Sequence, residues 1–223
     1  MVGGQANGAG SGFHFRVGAY FSALAIGARN LGDLGFDGAR VTSIRVETEA
    51  SVDDVLIETD AGGYIAIQAK TTVECTLGSR LGSVADQFVR YWLCASSGQA
   101  QYGWNRPLNP STDRLFLVVG PEASKRIRVH LRDVLDVHRS GTLLHAQPEA
   151  RREVFENFRG LLSQAWTKHT HRGATDDELR DLLNVCAVRE LDLHGSDKRL
   201  AEEVLRTVLD DPDEAGTAFR GAQ

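Results

Sequence analysis

The spacing of apolar residues predicts one helix and three strands in the first third of the chain. Across residues 13–31, apolar side chains recur at steps of three and four, the pattern of a helix with one buried face. Alternating apolar and polar residues in Val41–Glu49 predict a first strand. Two further apolar runs, Val55–Ile57 and Tyr64–Ile67, flank the turn residues Asp60–Gly63 and predict a β-hairpin.

A second helix and a buried strand complete the predicted core. Leu81–Ala95 carries apolar residues along one helical side, and Leu115–Val119 is an unbroken apolar run typical of a strand buried on both faces. The predicted order is helix, three strands, helix and strand, which is an α/β fold. From Glu122 onward the pattern predicts only helices, at Ile127–His138, Pro148–His169, Asp176–Val188 and Lys198–Leu209.

The same pattern divides the chain into three parts. Residues 1–10 are polar and rich in glycine, which is typical of a flexible leader. Residues 11–121 contain the predicted α/β core, and residues 122–223 form the predicted helical extension. The chain reaches Gln223 without an obvious closing element, so we expect a further domain to follow in the full-length protein.

Polar residues are concentrated at the end of the predicted hairpin that lies away from its turn. Asp53 and Asp54 precede the first of its two strands, and Gln68 and Lys70 end the second. Residues two apart on a strand point to the same face, so Gln68 and Lys70 lie side by side. A carboxylate, an amide and an amine at one end of an apolar hairpin are costly to bury unless they have a task.

The number of residues in the turn decides which aspartate joins Gln68 and Lys70. An odd loop of Ala61–Gly63 pairs Asp60 with Tyr64, which sets Asp54 opposite Lys70 and on the face of Gln68. An even loop moves the register by one residue and brings Asp53 to that face instead. We favour Asp54, and the alternative depends only on the parity of the turn.

Three short motifs in this region resemble those of the PD-(D/E)xK nuclease superfamily. They are Gly12-Phe-His-Phe-Arg16 at the start of the first helix, Val52-Asp-Asp-Val55, and Gln68-Ala-Lys70. A glutamine in place of the usual acidic residue before x-Lys resembles the motif of the Mrr-like branch. The three motifs together look most like the N-terminal DNA endonuclease domains of bacterial antiphage effectors of the CBASS type or the NTPase type. The resemblance implies a restriction-endonuclease-like αβββαβ core, a mixed central sheet flanked by helices, in residues 11–121.

The resemblance also implies roles for the residues at the hairpin end. Phosphodiester hydrolysis needs charge neutralised at the phosphoryl oxygens, and Mg²⁺ or Mn²⁺ bound by oxygen ligands supplies this. Asp54, Gln68 and Lys70 are the expected catalytic residues; Asp54, the Gln68 amide oxygen and the Ala69 carbonyl are the expected metal ligands. Further metal-ligand candidates, each able to supply a second carboxylate, are Glu47, Glu49 and Asp53.

Composition restricts how such a domain contacts DNA. The net charge is −5, so the chain has no overall positive field and must use a local patch. The expected patch, here called the basic cluster, consists of Lys125, Arg126, Arg128 and Arg132. Three cysteines without CxxC spacing suit a reducing cytosol. The absence of a signal peptide and of a long apolar run leads us to expect a cytoplasmic bacterial protein that does not enter a membrane.

Two functions of different classes fit these features. The first is a metal-dependent endonuclease domain that cuts double-stranded DNA, as the effector of an antiphage protein that forms homo-oligomers on activation and carries a further sensor or NTPase domain. The second is a catalytically silent domain of the same fold that binds nucleic acid or mediates assembly. Metal-dependent cleavage of a plasmid discriminates between them.

Overall fold

A computed structural model of the protein describes residues 6–48, 50–74, 80–98, 106–142 and 144–221, without the side chains of residues 6–11 and 33. The helices in these ranges are α1 Ala6–Ile26, α2 Arg80–Ser96, α3 Arg132–Arg139, α4 Glu149–Thr170, α5 Asp176–Val185, α6 Ser196–Arg206 and α7 Ala215–Gly221. The strands are β1 Asn30–Leu31, β2 Phe36–Val46, β3 Val55–Thr59, β4 Tyr64–Lys70, β5 Arg114–Val119 and β6 Cys186–Glu190. A π-helical segment, Arg126–Leu131, leads directly into α3. No helix among the described residues is long and apolar enough to cross a membrane.

The strands form one mixed sheet in the order β1-β2-β3-β4-β5-β6. Neighbours from β1 to β4 are antiparallel, whereas β4, β5 and β6 run parallel to one another. The α/β class is therefore confirmed. From α1 to β5 the main elements follow the predicted order of helix, three strands, helix and strand, with the two-residue strand β1 added.

Helices cover both faces of the sheet, so the protein has two hydrophobic cores. Alternate residues of β5 divide between them: Leu115 and Leu117 face the core formed with α2, α3, α4 and α5, and Phe116 faces the core formed with α1, α6 and α7. Because β4 and β5 are buried on both sides, their apolar residues run without the polar alternation of a half-exposed strand.

The hairpin of β3 and β4 differs from the predicted register by one residue pair. Glu58 pairs with Tyr64, and Thr59 receives a hydrogen bond from the Gly63 amide, so the loop is residues 60–62 rather than 61–63. Gly62 takes a positive φ of 72°. Gly63 packs so tightly that an added Cβ would lie 2.1 Å from the Thr112 carbonyl oxygen. The observed loop has the same odd number of residues, so the faces of the strands are as predicted.

The second half of the chain supplies a strand as well as helices, which corrects the predicted helical extension. The helix predicted at 176–188 ends at Val185, and Cys186–Glu190 form β6 beside β5. Cys186, Ala187 and Val188 are buried, and this apolar stretch fits a strand as well as a helix when read without its neighbours. Pairing with β5 decides between the two, and the sheet therefore extends across the predicted boundary at residue 122.

The bounds of α1 and the structure of residues 215–221 also differ from the prediction. Helix α1 includes residues 6–10, which were predicted to be a leader, and it ends at Ile26 because Asn30 and Leu31 pair with β2. Gly27 allows α1 to approach α6 closely, since an added Cβ would lie 2.1 Å from Val204 Cγ1. Helix α7 was not predicted, and it buries Ala215 and Phe219 four residues apart.

A buried carboxylate holds the turn end of the hairpin. Asp113, fully buried just before β5, accepts hydrogen bonds from the amides of Tyr64 at 2.8 Å and Asn109 at 2.6 Å. The Arg106 guanidinium contacts both carboxylate oxygens, at 2.5 and 3.0 Å. This hydrogen bond from Arg106 to Asp113 is the main cause that raises the pKa of Arg106. The hairpin is therefore fixed to the loop before β5 at the end opposite Lys70.

A second charged group joins α2 to α4 on the surface. Asp86 accepts hydrogen bonds from Lys168 at 2.7 Å and from the His169 ring at 2.8 Å, and its other oxygen contacts Arg90. Burial raises the pKa of this carboxyl, but the hydrogen bonds from Lys168 and His169 outweigh that effect, so the pKa lies below its ordinary value of 3.8.

We expect the stabilising effect of Asp86 to depend on pH. A carboxyl whose pKa is lower in the folded state stabilises the fold above its unfolded pKa, and the effect is lost as the pH falls through the folded pKa. The Asp86→Asn variant should lose about 1 kcal/mol of unfolding free energy at pH 7. Urea denaturation of both proteins from neutral pH downward should show the difference shrinking below pH 3.8. A difference that is constant with pH, or equal to that of Asp181→Asn, would contradict this role.

Candidate active site

The end of β4 and the start of β3 meet at one end of the hairpin. Asp54 directly precedes β3 and, by the observed register, stands opposite Gln68. The predicted register places Asp54 opposite Lys70. The observed loop at 60–62 moves its partner two residues back along β4, from Lys70 to Gln68. Backbone hydrogen bonds from Glu47 to the Asp54 carbonyl and from Thr48 to the Asp53 carbonyl hold this segment against the end of β2.

Three donors converge on a single oxygen of Asp54. The side-chain amide of Gln68, the backbone amide of Ala69 at 2.7 Å and the Lys70 ammonium at 3.4 Å all contact Oδ2. The prediction that Asp54, and not Asp53, joins Gln68 and Lys70 is therefore confirmed. The side chains of Asp54 and Lys70 are 17% and 28% exposed, so solvent reaches both charged groups.

Gln68 and Asp53 are the two unusual polar groups beside this contact. Gln68 is buried, and its oxygen Oε1 has no hydrogen-bond partner among the described residues. An unpaired buried acceptor is costly and requires an explanation. Burial, and secondarily the charge of Asp54, raise the pKa of the Asp53 carboxyl.

A cleft of about 330 Å³ opens beside Asp54 and Lys70. Helices α1 and α2 supply its other walls through His14, Arg80 and Ser83, and Ala69 and Thr71 complete the lining. The sequence pattern did not single out Arg80 and Ser83. Their three-residue spacing at the start of α2, on the polar side of a helix that buries Leu81, Val84 and Ala85, is the signal that could have identified them.

The candidates for a second carboxylate have different surroundings. Glu47 adopts a positive φ of 52°, and its side chain contacts the His14 ring at 3.1 Å while remaining 63% exposed. Through His14, Glu47 adjoins the cleft. Asp53 is adjacent to Asp54 in sequence and senses the charges of both Asp54 and Lys70. Glu49 lies outside the described residues.

The donor set fits a hard divalent cation that retains several waters. The oxygens available at the hairpin end are a carboxylate of Asp54, the unpaired Gln68 Oε1 and the Ala69 carbonyl, which are the ligand types that Mg²⁺ prefers. Among the described residues no group of three or more His, Cys, Asp or Glu side chains has the arrangement of a metal site. A cation here would therefore depend on neutral oxygens as well as on Asp54.

The basic cluster lies near the end of β4, and carboxylates pair with three of its four cations. The Ser124 amide, just before the cluster, donates to the Val73 carbonyl after β4. Arg126 contacts Glu153 at 2.7 Å, Arg128 contacts Glu190 at 3.3 Å, and Arg132 contacts Asp133 at 2.9 Å. Lys125 is exposed. Binding of phosphates by Lys125, Arg126, Arg128 and Arg132 stays a prediction, and these ion pairs reduce the positive charge on which it depends.

Fold and site together define an α/β protein in which an aspartate and a lysine line a cleft at the end of the β3–β4 hairpin, with a buried glutamine amide behind them. Comparisons with known proteins add no relative: no protein-family model matches the chain. No curated protein and no solved structure matches it either. The functional interpretation therefore depends on the residues of the cleft.

Proposed function

We propose that the chain is a metal-dependent endonuclease domain that hydrolyses phosphodiester bonds of double-stranded DNA. The observation that carries the proposal is the convergence of Gln68 and Lys70 on one oxygen of Asp54, beside a cleft that Asp54 and Lys70 line. A structural ion pair alone would not require a buried glutamine with an unpaired oxygen beside it. The resemblance of the Val52–Val55 and Gln68–Lys70 motifs to PD-(D/E)xK nucleases supports the same function.

Each residue of the cleft has a task in this chemistry. Asp54, Gln68 Oε1 and the Ala69 carbonyl would hold Mg²⁺ or Mn²⁺. The cation, when bound, would neutralise charge on the phosphoryl oxygens and increase the acidity of the attacking water. The Lys70 ammonium, released from Asp54, would orient that water or hold the scissile phosphate. Arg80 is positioned at the cleft wall, where a guanidinium can contact a neighbouring phosphate.

The wider biological role that we propose follows from the resemblance. The domain would act in the bacterial cytoplasm as the nuclease effector of an antiphage defence protein, with a sensor or NTPase domain elsewhere in the full-length protein. Such a domain must be silent until a signal arrives, and we propose that homo-oligomer formation supplies that control. The charge balance of the basic cluster is compatible with weak DNA binding by an isolated protomer.

The deciding experiment is cleavage of supercoiled plasmid at increasing protein concentrations. We expect nicked and linear products with Mg²⁺ or Mn²⁺, and no products when EDTA removes the cation, because the Asp54 carboxylate and the neutral Gln68 amide cannot neutralise charge on the phosphoryl oxygens. Chemical crosslinking of the protein before the assay brings protomers together without a known signal. Absence of metal-dependent products at every concentration, crosslinked or not, would favour the silent domain that binds nucleic acid or mediates assembly.

A further inference from the structure

A second concave surface lies apart from the active-site cleft, at the other end of the parallel strands. Arg114 starts β5 beside Ile65 of β4, whereas Lys70 lies at the end of β4. A cavity of about 330 Å³ opens beside Arg114, between β6, α3 and the turn before β2. This cavity is separate from Asp54 and Lys70.

Four arginines line this cavity, here called the arginine pocket. They are Arg114, Arg132, Arg139 and Arg189, and the one carboxylate among the lining residues is Asp136. Arg132, Asp136 and Arg139 are spaced by four and three residues, so they share one side of α3. The pocket therefore concentrates positive charge in a protein whose net charge is −5.

Carboxylates balance only part of that charge. Arg132 contacts Asp133 at 2.9 Å, and Asp133 also contacts Arg151 at 2.6 Å. Arg139 contacts Asp136 and donates to the Cys186 carbonyl at 2.8 Å. Arg114, Arg132 and Arg139 thus outnumber the two carboxylates, Asp133 and Asp136, that contact Arg132 and Arg139.

Arg114 is the most buried of the four and has neutral partners. Only 7% of it is exposed, and its guanidinium contacts the Pro110 and Asp113 carbonyl oxygens and lies 5.0 Å from the centre of the Phe36 ring. Burial, and next the charge of Arg139, lower the pKa of Arg114 to about 10, so it stays charged at neutral pH. A cation buried this deeply is unfavourable until an anion approaches it.

A second cavity, of about 270 Å³, shares Leu34 and Arg189 with the arginine pocket. Arg29 and Asn30 are the other polar residues of its wall. The apolar wall comes from α1, β1 and α6 and consists of Tyr20, Phe21, Leu24, Leu31, Leu200 and Val204. Leu200 is 43% exposed, so apolar surface is open to a ligand there. The second cavity therefore has a mixed wall, which offers apolar side chains beside the arginine pocket.

We propose that this region binds a small organic phosphate, with its phosphate group at Arg114, Arg132 and Arg139 and its apolar body in the adjoining cavity. Guanidinium groups bind phosphate oxygens through paired N–H donors, and the planar fork of arginine is suited to that geometry. The two cavities together have the size of small-molecule sites. The proposal uses no residue of the active-site cleft and shares only Arg132 with the basic cluster, so phosphate binding can be tested apart from cleavage.

Calorimetric titrations at constant ionic strength compare the binding of phenyl phosphate, inorganic phosphate and phenol. The three affinities report the separate contributions of the phosphate group and the apolar body. We expect phenyl phosphate to bind with a Kd of roughly 1 mM or tighter, at least about tenfold tighter than inorganic phosphate, and phenol not to bind measurably. The Arg132→Gln and Arg139→Gln variants should each weaken phenyl phosphate binding about tenfold or more. Leu34→Ser should weaken phenyl phosphate binding and leave inorganic phosphate unchanged.

Arg159→Gln is the matched control, since it removes one positive charge from α4 at a residue that lines neither cavity. Variants of Arg114 are avoided because its burial makes their folding uncertain, and thermal unfolding checks that every variant used is folded. No binding of phenyl phosphate by the unaltered protein, equal affinity for phenyl phosphate and inorganic phosphate, or equal weakening by Arg159→Gln would overturn the proposal. Displacement of phenyl phosphate by duplex DNA would overturn it too, because the arginines would then belong to a nucleic-acid surface.

Discussion

The Lys70→Ala variant is expected to cleave plasmid DNA roughly 10²–10⁴ times more slowly than the unaltered protein, with little loss of stability. Lys70 is the cation that contacts Asp54 at the cleft, and its side chain is 28% exposed, so its removal leaves no deeply buried group without a partner. The measurement is the initial rate of plasmid nicking with Mn²⁺, compared with the unfolding midpoint of the same preparation.

Two further variants make the Lys70 experiment specific. Asp54→Asn should abolish both cleavage and Mn²⁺ binding, because the amide removes the one charged ligand of the proposed site. Lys198→Ala, on α6, removes a lysine that contacts Glu202 away from the cleft, and it should cleave at the unaltered rate. If Lys70→Ala and Lys198→Ala cleave equally well, Lys70 has no part in catalysis and the endonuclease proposal loses its central residue.

The Asp113→Ala variant is expected to lose about 3–5 kcal/mol of unfolding free energy, the largest stability change that we predict. The substitution leaves the Arg106 guanidinium and the amides of Tyr64 and Asn109 without the carboxylate that they contact. Unpaired buried donors and a lost ion pair both contribute to the cost. Urea denaturation at pH 7 measures the change.

The position of Asp113 provides an internal test of this interpretation. Asp113 holds the turn end of the hairpin, opposite the end that carries Lys70, so the folded fraction of Asp113→Ala should keep its cleavage rate per molecule. Asp213→Ala, at an exposed position, should change the unfolding free energy by less than about 0.5 kcal/mol. If Asp113→Ala also lost less than about 0.5 kcal/mol, the hydrogen bonds and ion pair of Asp113 would contribute little to stability.

The parity of a turn was enough to predict which aspartate faces Gln68 and Lys70. The predicted loop was displaced by one residue, yet it kept an odd length, and side-chain faces depend only on odd or even spacing. The predicted pairing of Asp54 with Lys70 was wrong, because the residue directly opposite depends on the exact position of the loop. Local alternation therefore defines faces more securely than it defines contacts.

Interactions between distant parts of the chain could not be predicted in the same way. Cys186–Glu190 form a strand because β5 offers an edge to pair with, and no local pattern reports that edge. The partners that neutralise the basic cluster, Glu153 and Glu190, are far from it in sequence. Arg80 and Ser83 reach the cleft only because α2 crosses the end of β4.

Strand β6 also sets the order in which the protein can mature during synthesis. Ribosomes release the chain from its N-terminus, so Asp54 and Lys70 emerge long before Cys186–Glu190. Until then β5 has an open edge of apolar residues, the kind of edge that associates with other chains. The sheet beneath the cleft is complete only after Glu190 has been translated, so the cleft gains its full support well after its own residues have been made.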